Sequence, residues 1–355
     1  IRKSLGRLED AEASLRQAVR AGPRSAEIRL NLGVLLKDLG RPKEAEKCYL
    51  EALKLKPDYP EALNNLGIVQ AELGRTEDAR KSYDKATTLK PGYREALLNR
   101  GQLLFDQGEF ELALTDFDRC NTSDSRSRAL ATLYNLGRID EIYKRIESNK
   151  EIDADNLRVA AFSSFISALT NRDTPHNFCK DPMRFIDTVN ISSILQDSDS
   201  FIQELIEELN SVETFWEPLK KSTNGGFQSR DNLFEDPAGH VSRLKSVILE
   251  NLDSYYSKFK TESCSYIQKW PTRKRLMGWH VVLKQQGHQT PHIHAGGWLS
   301  GVIYLKVPEA SRNDSGSIKF SLHGYNYPLK QKSIPSKTLE PITGSIILFP
   351  SSLYH

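Results

Sequence analysis

The chain has 355 residues, of which 38% are hydrophobic and 27% are charged, and its mean hydropathy is -0.51. This length fits two or three ordinary domains, and no run approaches the roughly 18 consecutive apolar residues that a membrane helix requires. The net charge is +3, from 49 Lys and Arg against 46 Asp and Glu. The composition therefore excludes a protein with membrane-spanning helices and argues against a nucleic-acid partner, which would favour a basic surface.

The four cysteines are widely spaced and form no CxxC pair: Cys48, Cys120, Cys179 and Cys264. This spacing argues against a disulfide scaffold and against a zinc site built from thiolates. It favours a reducing compartment, and no signal peptide is visible at the start of the sequence. We therefore expect a cytoplasmic protein.

The N-terminal part of the chain carries an internal repeat with a period of about 34 residues. Small, aromatic and proline residues recur at this spacing: Gly33, Gly67 and Gly101; Gly40, Gly74 and Gly108; Ala45, Ala79 and Ala113; Tyr49, Tyr83 and Phe117; Pro57 and Pro91. A small residue such as Gly33 is expected where two antiparallel helices approach closely. Gly40 is expected to end a first helix with positive φ, and Pro57 to end the second. The pattern resembles the tetratricopeptide repeat family.

The resemblance implies helix pairs stacked into an all-α superhelix, whose concave face binds a protein or peptide partner. A spacer or a dimerisation arm is the alternative. The segment Gly6–Pro23 matches a second helix alone, so the first repeat is predicted to be incomplete. After Phe117 the repeat decays through a polar segment. Further helices are predicted at Ala129–Leu136, Ile139–Ile146 and Leu157–Leu169, the last of which is expected to cap the array.

Beyond Met183 the sequence changes from helical to strand-like. Helices are predicted at Phe201–Leu209 and Val241–Tyr256, separated by a segment rich in turn-forming residues, STNGGFQSRDNLFED. Four later segments are typical of short strands: RLMGWHVVLKQ, GWLSGVIYLKV, GSIKFSL and GSIILFP. Strands without alternating helices indicate a β-sandwich or a small barrel, and no glycine-rich phosphate-binding loop is present. The predicted domains are 1–150 (repeats), 151–182 (helical cap or linker) and 183–355.

Six of the eight histidines are concentrated near the end of the chain: His280, His288, His292, His294, His323 and His355. Neutral imidazole is the commonest metal ligand, so this excess suggests a metal site. His292 and His294 alternate in PHIH, and on an extended strand both would project from the same face. A solvated strand end is the alternative for this pair. His176 and Cys179 are predicted to lie in a loop rather than to bind a metal.

Three segments resemble a branch of the 2-oxoglutarate/Fe(II) dioxygenase superfamily: HIHAGGWLSGVIYLKVP, GSIKF and PITGSIILFPSSLYH. In that branch an HxH motif precedes an SGVYYL-type strand, and a late FPSxxxH motif supplies the distal histidine. The resemblance covers roughly residues 183–355. It implies a double-stranded β-helix (jelly roll) with flanking helices that uses Fe(II), 2-oxoglutarate and O2.

The resemblance also implies a set of site residues. His292 and His355 are the expected iron ligands, and His294 takes the place where most members have a carboxylate. Either His294 completes a three-histidine site, or it lies outside the coordination sphere and water or another residue is the third ligand. Gln289 and Tyr304 are candidate contacts to the cosubstrate. The Arg that holds the remote carboxylate of 2-oxoglutarate is expected beyond the chain end, in a domain truncated at its C-terminus.

The leading hypothesis is a hydroxylase whose iron is bound by His292, His294 and His355 and whose repeats present a protein substrate. One alternative is a repeat scaffold with a catalytically inactive oxygenase-like barrel. Another is a three-histidine dioxygenase that does not use 2-oxoglutarate. A lipid, an amino acid and a protein side chain all stay open as substrates.

Overall fold

The structure, a computed structural model, describes residues 2–218, 221–307, 316–324, 327–329 and 333–355. The chain forms two compact units, Ile1–Ile139 and Asp140–His355. The segment 140–182, which includes the predicted cap, therefore belongs to the second unit. The first unit is all-helical and the second combines helices with antiparallel strands, so the predicted fold class is confirmed.

The first unit consists of helices joined by short turns: α1 (Arg2–Ala21), α2 (Ala26–Asp38), α3 (Pro42–Leu55), α4 (Pro60–Glu72), α5 (Thr76–Leu89), α6 (Arg94–Asp106), α7 (Phe110–Cys120) and α8 (Ser123–Asn135). Local sequence signals set their ends. Pro42 and Pro60 occupy the first positions of α3 and α4, where proline is tolerated because no intrahelical N–H bond is lost. The Ser25 side chain caps α2 by accepting the Ile28 N–H at 3.3 Å.

The repeated glycine and aromatic positions meet inside each helix pair. A Cβ atom placed on Gly67 would lie 2.6 Å from Cε1 of Tyr83. The equivalent distance is 2.5 Å for Gly33 against Tyr49 and 2.7 Å for Gly101 against Phe117. Only glycine leaves room for the ring at such contacts, so the predicted close approach of the paired helices is confirmed.

A second set of glycines ends the first helix of each pair. The three residues have φ values of 73°, 76° and 79°, in the order Gly40, Gly74 and Gly108. At the first of these, the Gly40 N–H donates to the Lys37 carbonyl and the Arg41 N–H to the Leu36 carbonyl, both at 2.9 Å. These bonds satisfy carbonyl groups that the helix end leaves without partners, as predicted.

The polar segment after Phe117 is not a simple decay of the repeat. Thr122 caps α8: its hydroxyl accepts the Ser125 N–H at 3.1 Å, and the Ser125 hydroxyl accepts the Thr122 N–H at 2.8 Å. This reciprocal capping box starts the helix at Ser123, well before the predicted start at Ala129. The polar residues of this segment therefore cap the N-terminus of a helix.

The second unit opens with two helices, α9 (Ile139–Ser148, whose first residue precedes the boundary) and α10 (Leu157–Thr170). Three more follow, α11 (Ser198–Asn210), α12 (Gly239–Phe259) and α13 (Ser265–Gln268). The strands are β1 (Asp187–Asn190), β2 (Thr214–Trp216), β3 (Thr223–Ser229), β4 (Val281–Gln289), β5 (Leu299–Ile303), β6 (Ile318–Ser321), β7 (Ser336–Leu339) and β8 (Ser345–Pro350). All strand pairs are antiparallel, in the orders β1-β8-β5, β2-β3-β4 and β6-β7.

Strand β8 lies at the centre of its sheet and is buried on both faces. Ile346 and Leu348 face a core cluster to which α11 and α12 also contribute. The alternate residues, Ile347 and Phe349, face a second cluster with Phe320 of β6. Burial on both faces explains why this strand is a continuous apolar run rather than an alternating pattern.

Several strands were not expected from the sequence. The segment predicted to form turns contains β3, because Thr223–Ser229 hydrogen-bonds to β2 on one side and to β4 on the other. Strands β1, β2 and β7 were not predicted either. The PHIH segment, predicted as a strand, lies outside the strands, in the connection between β4 and β5.

Among the described helices, none combines the length and the apolar composition needed to cross a bilayer.

His176 and Cys179 lie in a loop, as predicted, but both side chains are buried. The His176 ring bonds the Asp153 carbonyl through Nε2 at 2.9 Å, and Nδ1 accepts the Phe178 N–H at 3.4 Å. Both ring nitrogens are therefore used within the protein. Burial lowers the pKa of His176 below its ordinary value, and the Asp153 carbonyl opposes that shift.

The neutral His176 ring makes stability depend on pH. Below about pH 6.5 the unfolded chain protonates this histidine more readily than the folded chain does. The free energy of unfolding is therefore expected to decrease as the pH is lowered below about 6.5, with a contribution from this group of at most about 1.4 kcal/mol per pH unit. Urea denaturation at several pH values should show that the free energy of unfolding of His176→Gln depends less steeply on pH than that of the parent chain. Equal slopes for the two chains would contradict this assignment.

Candidate metal centre

The HxH motif is held in place by the last residues of the chain. The His292 N–H donates to the His355 carbonyl at 3.2 Å, and the His355 N–H donates to the His292 carbonyl at 3.3 Å. At the other end of the motif, the His294 N–H donates to the Ser351 carbonyl at 3.1 Å. The motif is therefore paired with residues 351–355, although it belongs to no regular strand.

The path of residues 350–355 explains how His355 reaches the motif. Pro350 ends β8, and its carbonyl accepts the Leu353 N–H at 2.9 Å in a tight turn. Leu353 is buried in the cluster around Phe320. Tyr354 is also buried and bridges to Ser321 of β6. Two buried side chains on successive residues thus fix the direction of the chain at His355.

The three histidines of the two motifs meet at one point. His292, His294 and His355 each offer one ring nitrogen, and these atoms all lie within 4.8 Å of one another. The ring centroids are 4.4 Å apart for His292 and His355, 4.9 Å for His292 and His294, and 5.1 Å for His294 and His355. Among the described residues, a metal ion could be held by a group of three or more His, Cys, Asp or Glu side chains at this one place.

Backbone carbonyl groups orient two of the imidazole rings. Nδ1 of His292 lies 2.8 Å from the Thr290 carbonyl, and Nδ1 of His355 lies 3.1 Å from the Leu353 carbonyl. A carbonyl oxygen only accepts, so both Nδ1 atoms carry the proton. The lone pair of each ring is then on Nε2, which is the arrangement that carbonyl partners enforce in metal-binding histidines.

Burial keeps two of these rings neutral. It lowers the pKa of His355 to about 3, with a further decrease from the neighbouring His292. It lowers the pKa of His294 to about 4, with smaller contributions from His292 and from the Lys221 ammonium group. Neutral imidazole is the form that binds metals, so protons compete little for these two rings at neutral pH.

The surroundings of the cluster are aromatic on two sides. The Phe349 ring lies 4.6 Å from that of His355, and the Trp279 ring lies 5.5 Å from that of His294. The Lys221 ammonium group lies 5.6 Å from the Trp279 ring. Sequence analysis did not single out Lys221, which directly precedes the turn-rich segment and is far from the HxH motif along the chain.

The two proposed cosubstrate contacts have different environments. The Gln289 side chain donates to the Thr223 hydroxyl at 3.2 Å, which in turn donates to the buried Gln228 amide oxygen at 2.9 Å. Tyr304 packs in the same cluster as Phe349, and burial raises its pKa to about 12. Both residues lie on or next to strands that support the histidines, and their role as cosubstrate contacts stays a prediction.

The other C-terminal histidines are outside the cluster. His288 is exposed on β4. The His323 ring packs against Phe165 of α10 with 5.5 Å between centroids, and its Nε2 lies 2.9 Å from the Tyr327 carbonyl. His280 is half-buried, and its backbone N–H donates to the Ser229 hydroxyl at 3.0 Å. Six histidines are concentrated near the end of the sequence, but only three of these six side chains lie together in the structure.

Two family models match the chain. Residues 277–355 match the family described as "Putative 2OG-Fe(II) oxygenase", and this range contains all three clustered histidines. Residues 2–60, 33–94 and 72–120 each match the tetratricopeptide repeat. The order of the two matches is the predicted one, with tetratricopeptide repeats in the N-terminal part and the match to the putative oxygenase family at the C-terminal end. The range that matches the oxygenase family model includes β4, β5, β6, β7 and β8 and the connection that bears the HxH motif.

Several solved structures are similar to part of the chain. The MamA protein overlays with a TM-score of 0.39 at 20% identity, over 43% of this chain and 86% of that chain. YrrB is described as a TPR protein with an unusual peptide-binding site. It overlays with a TM-score of 0.39 at 20% identity, over 44% of this chain and 84% of that chain. The pilF protein of Pseudomonas aeruginosa overlays with a TM-score of 0.40 at 22% identity, over 48% of this chain and 80% of that chain. No curated protein matches the chain.

Proposed function

We propose that the chain is a non-haem Fe(II), 2-oxoglutarate-dependent dioxygenase that hydroxylates a protein or peptide bound by its repeats. The observation that carries this proposal is the convergence of three imidazole nitrogens within 4.8 Å in an oxygenase-family domain. His292, His294 and His355 are the proposed iron ligands.

The donor set fits Fe(II). Imidazole is a suitable ligand for iron, and a facial set of three side chains leaves positions open for other molecules. The oriented rings of His292 and His355 point a lone pair away from their carbonyl partners, at Thr290 and Leu353. When bound, Fe(II) would activate O2 while 2-oxoglutarate is decarboxylated to succinate.

The chain's own residues would position the reactants. Phe349 and Trp279 flank the histidine cluster on two sides and provide aromatic surfaces beside it. The Lys221 cation and the Gln289 amide are suited to anionic or polar groups of the cosubstrate. The Tyr304 hydroxyl, which its raised pKa keeps protonated, is proposed as a further donor.

The repeat array is proposed to supply the binding surface for the macromolecular substrate on its concave face. Its helix pairs are of the kind that present an extended surface for partners. Polar side chains also link successive first helices: the Asn99 amide donates to the Asn64 amide oxygen at 3.0 Å. Asn64 is buried, whereas the partly buried Asn99 side chain is suited to a hydrogen bond with an extended peptide backbone.

The proposal is tested by titrating the full-length protein anaerobically with Fe(II), adding 2-oxoglutarate and air, and measuring succinate. We expect succinate to form with the parent chain and with His288→Ala, an exposed histidine close to the motif. We expect none above background with His292→Ala. Fe(II) binding with no succinate from either chain would instead favour the inactive scaffold.

The all-imidazole donor set also favours a second candidate, a three-histidine dioxygenase that does not use 2-oxoglutarate. In this case O2 consumption would require Fe(II) and His292 but would be unchanged when 2-oxoglutarate is left out. An oxygen electrode measurement with and without 2-oxoglutarate separates the two functions.

A further inference from the structure

Two cysteines that are distant in the sequence lie next to each other in the second unit. Cys179 is buried in the loop after α10, and Cys264 is half-buried directly before α13. The backbones beside them are hydrogen-bonded: the Ser265 N–H donates to the Asn177 carbonyl at 3.0 Å, and the Tyr266 N–H donates to the Phe178 carbonyl at 2.8 Å. These bonds hold the two cysteine-bearing segments together.

The two thiols differ in their readiness to ionise. Hydrogen bonding from the Cys179 thiol lowers the pKa of Cys264 to about 7, so much of Cys264 is thiolate at neutral pH. Burial raises the pKa of Cys179, which keeps its proton. Cys48 is also half-buried, but burial raises its pKa. A thiolate beside a neutral thiol is the arrangement found in reactive cysteine pairs.

The packing around the pair is rigid and leaves little space. The Trp298 indole N–H donates to the Tyr266 carbonyl at 2.9 Å, and the Phe178 ring lies 5.1 Å from the Trp298 ring. A polar cavity of about 20 Å³ adjoins Cys179 and is lined in part by Ser163 and His176. It has room for a molecule of about the size of water. A small oxidant fits these surroundings better than a bulky disulfide such as oxidised glutathione.

We propose that Cys179 and Cys264 are a redox-active dithiol that hydrogen peroxide converts to an intramolecular disulfide. The Cys264 thiolate attacks one peroxide oxygen and the O–O bond breaks, which gives a sulfenic acid and hydroxide. The hydroxide takes up a proton equivalent to the one that the Cys264 thiol released on ionising, and becomes water. The Cys179 sulfur, losing its proton, then attacks the Cys264 sulfur, and the S–O bond breaks to release a second water. Two thiols are oxidised by two electrons and one peroxide is reduced to two waters.

The test is a peptide map of the full chain. The reduced chain is treated with one equivalent of hydrogen peroxide, alkylated with N-ethylmaleimide in denaturant and digested with trypsin. We expect the peptides 173–180 (DTPHNFCK) and 261–269 (TESCSYIQK) to appear as one disulfide-linked species that dithiothreitol separates. Recovery of both as alkylated peptides, or of Cys264 as sulfinic acid without a link, would overturn the proposal.

Variants separate the roles of the two sulfurs. Cys48→Ser is expected to form the linked species as the parent does. Cys264→Ser should leave Cys179 alkylated, whereas Cys179→Ser should convert Cys264 to a stable sulfenic acid that dimedone labels. Circular dichroism checks that each variant is folded. Independently of any variant, iodoacetamide at neutral pH should modify Cys264 in the parent chain at least about tenfold faster than Cys48. Equal rates would count against the proposal.

Discussion

Replacing His292 with alanine is expected to weaken Fe(II) binding by more than about 100-fold, because loss of an outer hydrogen-bond partner alone costs roughly 10- to 100-fold. His292 is central in the cluster: its ring lies 4.4 Å from that of His355 and 4.9 Å from that of His294. Anaerobic isothermal titration calorimetry with Fe(II) measures the effect. His288→Ala, which alters an exposed histidine on β4, should bind Fe(II) like the parent chain.

A second pair of variants tests whether His294 is a ligand. His294→Asp restores the usual set of two histidines and one carboxylate and is expected to keep Fe(II) binding. His294→Ala removes the donor and should bind weakly. If His294→Ala binds Fe(II) as tightly as the parent chain, His294 lies outside the coordination sphere. If His292→Ala does so as well, the cluster is not the iron site.

Replacing Gly67 with alanine is expected to lower the free energy of unfolding of the repeats by about 1–3 kcal/mol. The new Cβ would lie 2.6 Å from the buried Tyr83 ring, so either the helix pair must separate or the ring must leave its position. Gly92→Ala is the matched control, because a Cβ there meets nothing within 4 Å. Thermal and urea unfolding followed by far-ultraviolet circular dichroism compare the two variants.

The same contact predicts a specific rescue. Tyr83→Leu removes the ring that Gly67 accommodates. The decrease in the free energy of unfolding caused by Gly67→Ala should therefore be smaller in the Tyr83→Leu variant than in the parent chain. Two results would show that ring packing is not the reason for the glycine. One is that Gly67→Ala lowers the free energy of unfolding equally with and without Tyr83→Leu, and the other is that Gly67→Ala and Gly92→Ala lower it equally.

The repeat region was predictable because its contacts are local. Gly33 meets Tyr49 in the very next helix, and Gly40 acts through hydrogen bonds within the last turn of its own helix. The 34-residue spacing of these residues is therefore enough to predict the contacts. At Thr122–Ser125, where the sequence pattern of the repeat decays, polar residues form a capping box that begins a further helix.

The β-rich part was harder to predict because its strands depend on distant partners. Thr223–Ser229 contains two glycines and has little apolar character, yet it is a strand because β4, on the far side of α12 and α13 in the chain, pairs with it. Such a segment has no strong preference of its own, and pairing decides its conformation. Lys221 could not be identified from the sequence because Trp279, which it contacts, is distant along the chain.

The candidate site shows both situations. The HxH and FPSxxxH motifs indicated His292, His294 and His355, but spacing alone could not show which of the six C-terminal histidines meet. The structure excludes His323 from the cluster because its ring packs against α10, and it places His288 on an exposed strand. The turn from Pro350 to Leu353 brings His355 back to the motif.

The sequence by itself determined the helical array, the class of the second unit and the candidate ligands. Only the tertiary structure decided that three histidines converge and that Cys179 lies beside Cys264. The physical reason is chain separation. Helix ends and helix pairs are set by interactions between neighbouring parts of the sequence. Two segments that are far apart in the sequence meet only when a shared core fixes the path of the chain between them.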